Sequence, residues 1–296
     1  MTESSPRPLR LAVAQLELAP GALEANRART VAAVAEARGQ GARLVVLPEL
    51  ASSGYRLRTP EAVAAAAEEI PGPTTEAWAR AVAGSDCTVV GGICERRGRD
   101  HFNAVAVVGA DGVRAVYRKL HLFDQEQLLF APGDAGLPIV DLPFGRLGVL
   151  VCYDLRFVEA LRILALRGAD VVAVPTAWVG GFDVAMPADG IIDQVRAAGV
   201  QANLNGVFVA AASRVGADGD LTYLGQSCVL GPYGRFVVEP QDRTAESVMV
   251  AEIDLADARR AKVRGPRIRP LEDRRTDVYD AMLGYREVPV SGCRGR

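Results

Sequence analysis

Histidine is nearly absent from this chain: its 296 residues include two, His101 and His121. Most metal sites and every Ser-His-Asp arrangement draw on histidine, so such schemes have almost nothing to build on. Cysteine is scarce too, five residues at irregular spacing, which fits neither a disulfide framework nor a zinc site. No stretch comes near the ~18 uninterrupted apolar residues of a membrane span. The opening residues Met1 to Pro8 are polar and predict no secretory signal. Neither sign of charge dominates, with 34 basic residues against 36 acidic ones and a net charge of -2. That balance gives no electrostatic reason to expect nucleic acid or an anionic membrane as partner. What remains is a reduced, cytoplasmic protein with 49% hydrophobic content, ample for a sizeable core. No linker divides it, so residues 1–296 are expected to form one domain, with 264–296 as a basic tail.

Strands and helices alternate along the chain. Leu9–Leu16 is apolar enough for a buried strand, Asn26–Gln40 has helical spacing, and Arg43–Leu50 reads as a second strand. Strand, helix, strand in that order predicts a crossover unit with parallel neighbours. Helices are predicted over Pro60–Glu69 and Thr74–Ala83, with a strand over Cys87–Cys94. A hairpin from His101 to Lys119 should turn at Asp111-Gly112. The same grammar then repeats from Gly148, with a helix over Val158–Arg167 and a strand over Ala169–Thr176. A helix over Ile191–Gln201 and a strand over Gly206–Ser213 follow. This loose two-fold rhythm suggests two similar halves packed face to face.

Three residues stand at the ends of buried strands, where open α/β folds usually place their sites. Glu49 follows Leu47-Pro48, Lys119 ends the hairpin, and Cys152 follows the apolar run Gly148–Val151. A cysteine where a strand breaks into a helix sits near backbone N–H groups that favour its thiolate. It is also the position of a nucleophile on a sharp turn. Taken singly, each has a plainer reading: a small buried cysteine, a solvated glutamate, an exposed lysine.

The pattern around all three resembles the nitrilase superfamily of carbon–nitrogen hydrolases, in its amidase and carbamoylase branch. The matching pieces are Leu47-Pro48-Glu49, the run Tyr117 to Asp124, and Val151-Cys152-Tyr153-Asp154-Leu155-Arg156-Phe157. Likeness continues through Arg167–Asp170, Pro175-Thr176-Ala177-Trp178, Asn205–Val209 and Asp273-Arg274-Arg275, so it spans nearly the whole chain in order. The resemblance implies an α/β fold of the four-layer αββα sandwich type and a Glu-Lys-Cys triad. Glu49 would be the general base, Cys152 the nucleophile and Lys119 the electrophilic stabiliser. Glu126, four residues before Phe130-Ala131-Pro132-Gly133, would orient Lys119 and the leaving group.

No metal or organic cofactor is required by that chemistry. A glutamate takes the thiol proton as sulfur attacks, and an ammonium together with the Tyr153 backbone N–H can meet the oxyanion. Tyr153, Arg156 and Trp178 are the residues expected to touch substrate, and Arg156 suits a carboxylate. It could equally pair with Asp154 or Glu159. His121, two residues past Lys119, leaves a Cys-His pair open as a rival. Tyr153-Asp154 after the cysteine resembles the amidase and carbamoylase branches of that family, which implies small amides rather than nitriles, with an N-carbamoyl amino acid as the alternative substrate. A nitrilase, or a catalytically silent binding protein, is a lesser alternative. Two departures stand out: Gln201-Ala202-Asn203-Leu204-Asn205 lacks the arginine and glutamate usual there, and Val158 replaces a common proline. A homodimer or larger oligomer is expected, pairing beside the nucleophile helix with help from the tail.

Overall fold

A computed structural model describes residues 8–180 and 186–283. The end of the tail with Cys293, and part of the loop before Gly190, lie outside these residues.

The chain begins with β1 (Leu9–Glu17), α1 (Leu23–Gly39) and β2 (Leu44–Val46). The helices α2 (Pro60–Ala66) and α3 (Pro73–Ala81) lead to β3 (Thr88–Arg97). Both begin on proline, whose missing N–H is not needed in a first turn. A meander of β4 (Asp100–Gly109) and β5 (Gly112–Arg118) follows, then the four-residue helix α4 (Glu126–Leu129). The second half runs β6 (Ile139–Leu142), β7 (Gly145–Val149), a 3₁₀ turn over Cys152–Arg156, and α5 (Val158–Leu166). It continues with β8 (Val171–Pro175), α6 (Asp193–Asn205), β9 (Phe208–Ala212) and β10 (Arg214–Val215). A small hairpin of β11 (Ala217–Asp218) and β12 (Leu221–Thr222) precedes β13 (Cys228–Leu230) and β14 (Phe236–Val238). The strand β15 (Ser247–Ile253) and helices α7 (Leu255–Ala261) and α8 (Thr276–Leu283) complete the described chain.

Two sheets form. In one, β1, β2 and β3 are parallel neighbours, β4 and β5 extend the edge antiparallel, and β15 runs antiparallel to β1. In the other, β7, β8 and β9 are parallel, with β6 antiparallel on one side and β13 and β14 on the other. Helices α1 and α3 cover the first sheet, where Ala33, Val34 and Trp78 pack on Ala12, Val45 and Val89. The opposite face, with Leu11, Val13 and Val46, shares one core with the second sheet and with Leu161 and Leu164 of α5. The layers are therefore helix, sheet, sheet, helix. Strands covered on both faces need no polar side, which is why β1 and β8 read as almost unbroken apolar runs.

Several elements differ from expectation: the strand expected over Arg43–Leu50 is only Leu44–Val46, and β10, β11 and β12 were not anticipated. The Gly148–Val151 strand begins earlier, at Gly145, and ends at Val149. Its partner β6 and the helix α8 escaped notice, since four residues beside a proline and a turn within a basic tail give little periodicity. Among the described residues no helix is long and apolar enough to cross a membrane.

Candidate active site

The carboxyl ends of β2, β5 and β7 bring Glu49, Lys119 and Cys152 together. Lys119 and Glu49 are 1% and 0% exposed. The Lys119 Nζ donates to Glu49 Oε1 at 2.7 Å and reaches Glu126 at 2.8 Å to Oε2 and 2.9 Å to Oε1. Burial alone would push the ammonium toward its neutral form, but the Glu126 and Glu49 charges more than reverse this. Lys119 therefore keeps its proton well above the ordinary lysine range. Asn103 Nδ2 also donates to Glu49 Oε1, at 2.7 Å, whereas Glu49 Oε2 is buried without a hydrogen-bond partner. Burial raises the Glu49 pKa above the usual carboxylate value, helped by the Glu126 charge and opposed by Lys119 and Asn103.

Local backbone explains how these groups are held. Leu50, directly after Glu49, has φ of 46°, so the chain turns sharply where the carboxylate emerges. That turn lies on Gly92 of β3, where a Cβ would sit 2.1 Å from the Leu50 nitrogen. Gly133 plays the same part for the lysine: its N–H donates to the Lys119 carbonyl, and a Cβ would meet Arg118 O at 2.1 Å. Cys152 itself has φ of 43°, a left-handed conformation uncommon outside glycine and often found at functional turns. Buried Asp154 fastens the turn. It accepts from Val151 N at 3.0 Å, Tyr117 Oη at 2.7 Å and His121 N at 3.1 Å, and its Oδ1 lies 2.8 Å from His121 Nδ1. His121 also stacks on Phe157 at 3.5 Å between ring centroids. The histidine is thus bound into the support of the turn.

The thiol does not behave as the strand-to-helix position suggested. Burial and the nearby Glu49 charge push Cys152 well above an ordinary thiol, although Lys119, the Thr176 hydroxyl and the Ala177 N–H pull the other way. The raised pKa favours the protonated sulfur, with the Glu49 carboxylate near it. Cys87, Cys94 and Cys228 are likewise pushed up by burial, to about 11, about 12 and about 12, and none of them lines the cavity onto which Cys152 opens.

Cys152 opens into a cavity of about 610 Å³, lined also by Tyr153, Arg156 and Trp178. All three residues expected at the substrate are therefore on its wall. Two contributors were not visible beforehand. Asn103 lies inside the apolar strand β4, and Tyr55 sits in a loop, donating to Glu126 Oε1 at 2.7 Å while lining the cavity. The only advance signal was an asparagine directly before the apolar run Ala104–Val108. Tyr55 is backed by Tyr223, whose ring lies under the buried Arg214 guanidinium at 3.9 Å. The unusual Gln201 donates to the Leu155 carbonyl, bracing the Cys152 turn from α6.

The sequence pattern of the carbon–nitrogen hydrolase family matches residues 10–263. A nitrilase of Pyrococcus abyssi is 38% identical over 90% of this chain and 98% of its own. An omega-amidase of Bos taurus is 34% identical over 92% and 96%. The solved amidase of Nesterenkonia sp. AN1, in complex with acrylamide, superposes with a TM-score of 0.75 at 26% identity, covering 96% of this chain and 99% of that one. The chain belongs to the carbon–nitrogen hydrolases of the nitrilase superfamily. It is a hydrolase of carbon–nitrogen bonds.

Proposed function

We propose that the enzyme cleaves the carbon–nitrogen bond of a small linear amide through a thioester on Cys152. The observation that carries this reading is the free Oε2 of Glu49, a buried carboxylate oxygen beside a protonated thiol and a charged lysine. Glu49 takes the thiol proton as sulfur attacks the amide carbon. The resulting oxyanion meets Lys119 Nζ, which has three protons and spends two on Glu49 and Glu126, and the backbone N–H of Tyr153. Glu49 returns its proton to the departing nitrogen, so ammonia or an amine leaves and the C–N bond breaks. Water, deprotonated by Glu49, then attacks the thioester; the acid departs and the thiol regains its proton. Glu126 keeps Lys119 charged and aimed throughout.

Arg156 on the cavity wall supports an amide that also carries a carboxylate. An N-carbamoyl amino acid would use the same groups, as the relation to N-carbamoylputrescine amidases allows. The four free thiols among the described residues suit a reducing compartment such as the cytoplasm. Exposed Val158, Ile163 and Leu166 on α5, with Val200 and Leu204 on α6, support assembly of one folded domain into a homodimer or larger through this layer. A monomer mass by light scattering at micromolar concentration overturns the assembly. The chemistry is tested by incubating the enzyme with amides, carbamoyl compounds and nitriles, measuring ammonia, and trapping the acyl group by mass spectrometry. The acyl group is expected on Cys152; an adduct on Cys87, Cys94, Cys228 or Cys293 ends this reading.

A further inference from the structure

Besides Lys119, one cation among the described residues is buried: Arg214, 1% exposed. It begins β10, where the chain has left the second sheet and pairs with β1 of the first. Its guanidinium donates to the Leu18 carbonyl through Nη2 and lies 3.4 Å from Asp218 Oδ2. Nε and Nη1 are buried without a hydrogen-bond partner. A buried charge met only in part is destabilising, since its lost hydration is not fully replaced. To hold β10 alone, an apolar side chain of similar length would serve better.

What the guanidinium does meet is a ring. Its Cζ lies 3.9 Å from the centre of the Tyr223 ring, well within the ~6 Å reach of a cation over an aromatic face. Tyr223 is 2% exposed and fixed on three sides. The cation covers its face, Asp218 Oδ2 accepts from its hydroxyl at 2.5 Å, and Tyr55 stands perpendicular to it with ring centroids 6.2 Å apart. Tyr55 in turn donates to Glu126 Oε1 at 2.7 Å, the oxygen that also takes the Lys119 ammonium at 2.9 Å. An unbroken line of contacts thus runs from Arg214 through Tyr223 and Tyr55 to Glu126 and Lys119.

We propose that Arg214 is a positioning residue for Lys119, clamping Tyr223 behind Tyr55 so that the Tyr55 hydroxyl stays on Glu126. This rests on the chemistry proposed at Cys152 and adds to it a residue that touches neither substrate nor sulfur. Without the cation the Tyr223 ring is released on one face and Tyr55 loses its backing. Glu126 Oε1 then loses a donor that fixes its direction. Lys119 keeps its charge but is held less closely, and a small misplacement at a reacting centre lowers the rate.

The test is a double-mutant cycle of Arg214→Met with Tyr55→Phe. It is read in kcat and KM for propionamide and in the rate of Cys152 alkylation by iodoacetamide. Arg214→Met should lose about five- to fiftyfold in kcat, the order of coupling within one contact network, with KM nearly unchanged. The double variant should lose no more than the larger of the two single losses. Arg214→Lys, which keeps a cation over the ring, should recover much of the lost kcat. A merely structural role would lower the urea midpoint of Arg214→Met and leave kcat alone. Wild-type kcat in Arg214→Met, a loss confined to KM, or losses that multiply in the double variant would each overturn the proposal. If Arg214→Met does not fold, Tyr223→Leu replaces it in the same cycle with the same outcomes. If propionamide is not turned over, the alkylation rates are compared in the same way and decide. Lys119→Met, measured alongside, separates this proposal from the reading beneath it. Full activity there removes both. An inactive Lys119→Met with multiplying losses removes the role of Arg214 alone and leaves hydrolysis at Cys152 standing.

Discussion

The two halves of the molecule are built alike and bring different side chains to the site. The order β1, α1, β2, α3, β3, β4, β5 in the first matches β7, α5, β8, α6, β9, β13, β14 in the second. Each has three parallel strands continued by an antiparallel pair, and each has one more antiparallel strand, β15 or β6, beside its first. Val13, Val46 and Val90 lie in register across one half as Val149, Ala173 and Ala210 do across the other. Two residues past these positions of the middle strands, Val46 and Ala173, a proline stands in both, Pro48 and Pro175. The next residue is Glu49 in one and Thr176 in the other, and the Glu49 N–H reaches the Thr176 carbonyl at 3.4 Å. Equivalent turns thus meet at the site with different cargo. The first half supplies the buried charges, Glu49 and Lys119 with Glu126 beyond its last strand; the second supplies the thiol and most of the cavity wall. The repeated scaffold places strand ends at a common seam, and the residue at each end decides what happens there.

The largest way to break this division is on the thiol side. Cys152→Ala should lose turnover altogether and form no acyl adduct by mass spectrometry, while circular dichroism keeps the folded signature, since one sulfur is removed. Breaking the charged side comes next. Glu49→Gln keeps the Asn103 contact surface but cannot accept the thiol proton, and should lose ~10²–10⁴ in kcat, as for a general base. His121→Asn, which disturbs a support of the turn without touching the carboxylates, should lose distinctly less. The reverse order of those two variants would replace the Glu-Lys-Cys scheme with a Cys-His one.

How much of this could be read from the sequence follows from where each group sits. Glu49, Lys119 and Cys152 stood out because a polar residue directly after a buried strand interrupts an apolar run, and the interruption is local. Asn103 and Tyr55 come to the site from β4 and from a loop, and only tertiary packing turns their side chains toward Glu49 and Glu126. The sign of the Cys152 shift was misjudged for a related reason. Neighbouring N–H groups are visible in sequence order, whereas desolvation and the Glu49 charge arrive from across the fold. Likewise the sequence leaves Asp154 open as one of two pairing choices for Arg156, whereas its carboxylate takes hydrogen bonds from Val151, Tyr117 and His121. The layered fold was legible because two repeats of strand and helix leave few other ways to bury their apolar faces.

A smaller effect sharpens the part played by the second half in choosing substrate. Arg156→Lys replaces a planar fork with a point charge. For an amide bearing a carboxylate, KM should rise by the equivalent of ~1–3 kcal/mol, the order of a charge-assisted hydrogen bond. The matching neutral amide offers no carboxylate and should hardly change. Equal loss on both, measured side by side, would mean that Arg156 braces the nucleophile turn.

The smallest effect lies on the charged side and concerns pH. Burial raises the Glu49 pKa, so its carboxyl holds a proton at pH values where an exposed glutamate would have lost it. Glu49 works as a base only when ionised, so kcat/KM should fall on the acid side with a limb displaced upward from an ordinary glutamate. Asn103 donates to Oε1 and favours the charged form. Asn103→Leu removes that donor at similar size, making the proton harder to lose, and the limb should move to still higher pH. The expected result is a few-fold loss of rate at acidic pH that fades as the pH is raised. Asn103→Asp, which places a second negative charge against Glu49, should move the limb further in the same direction. A rate–pH profile for the three enzymes on one neutral amide measures this. A limb that stays put, or moves to lower pH, would show that Asn103 positions the strand without acting on the Glu49 charge.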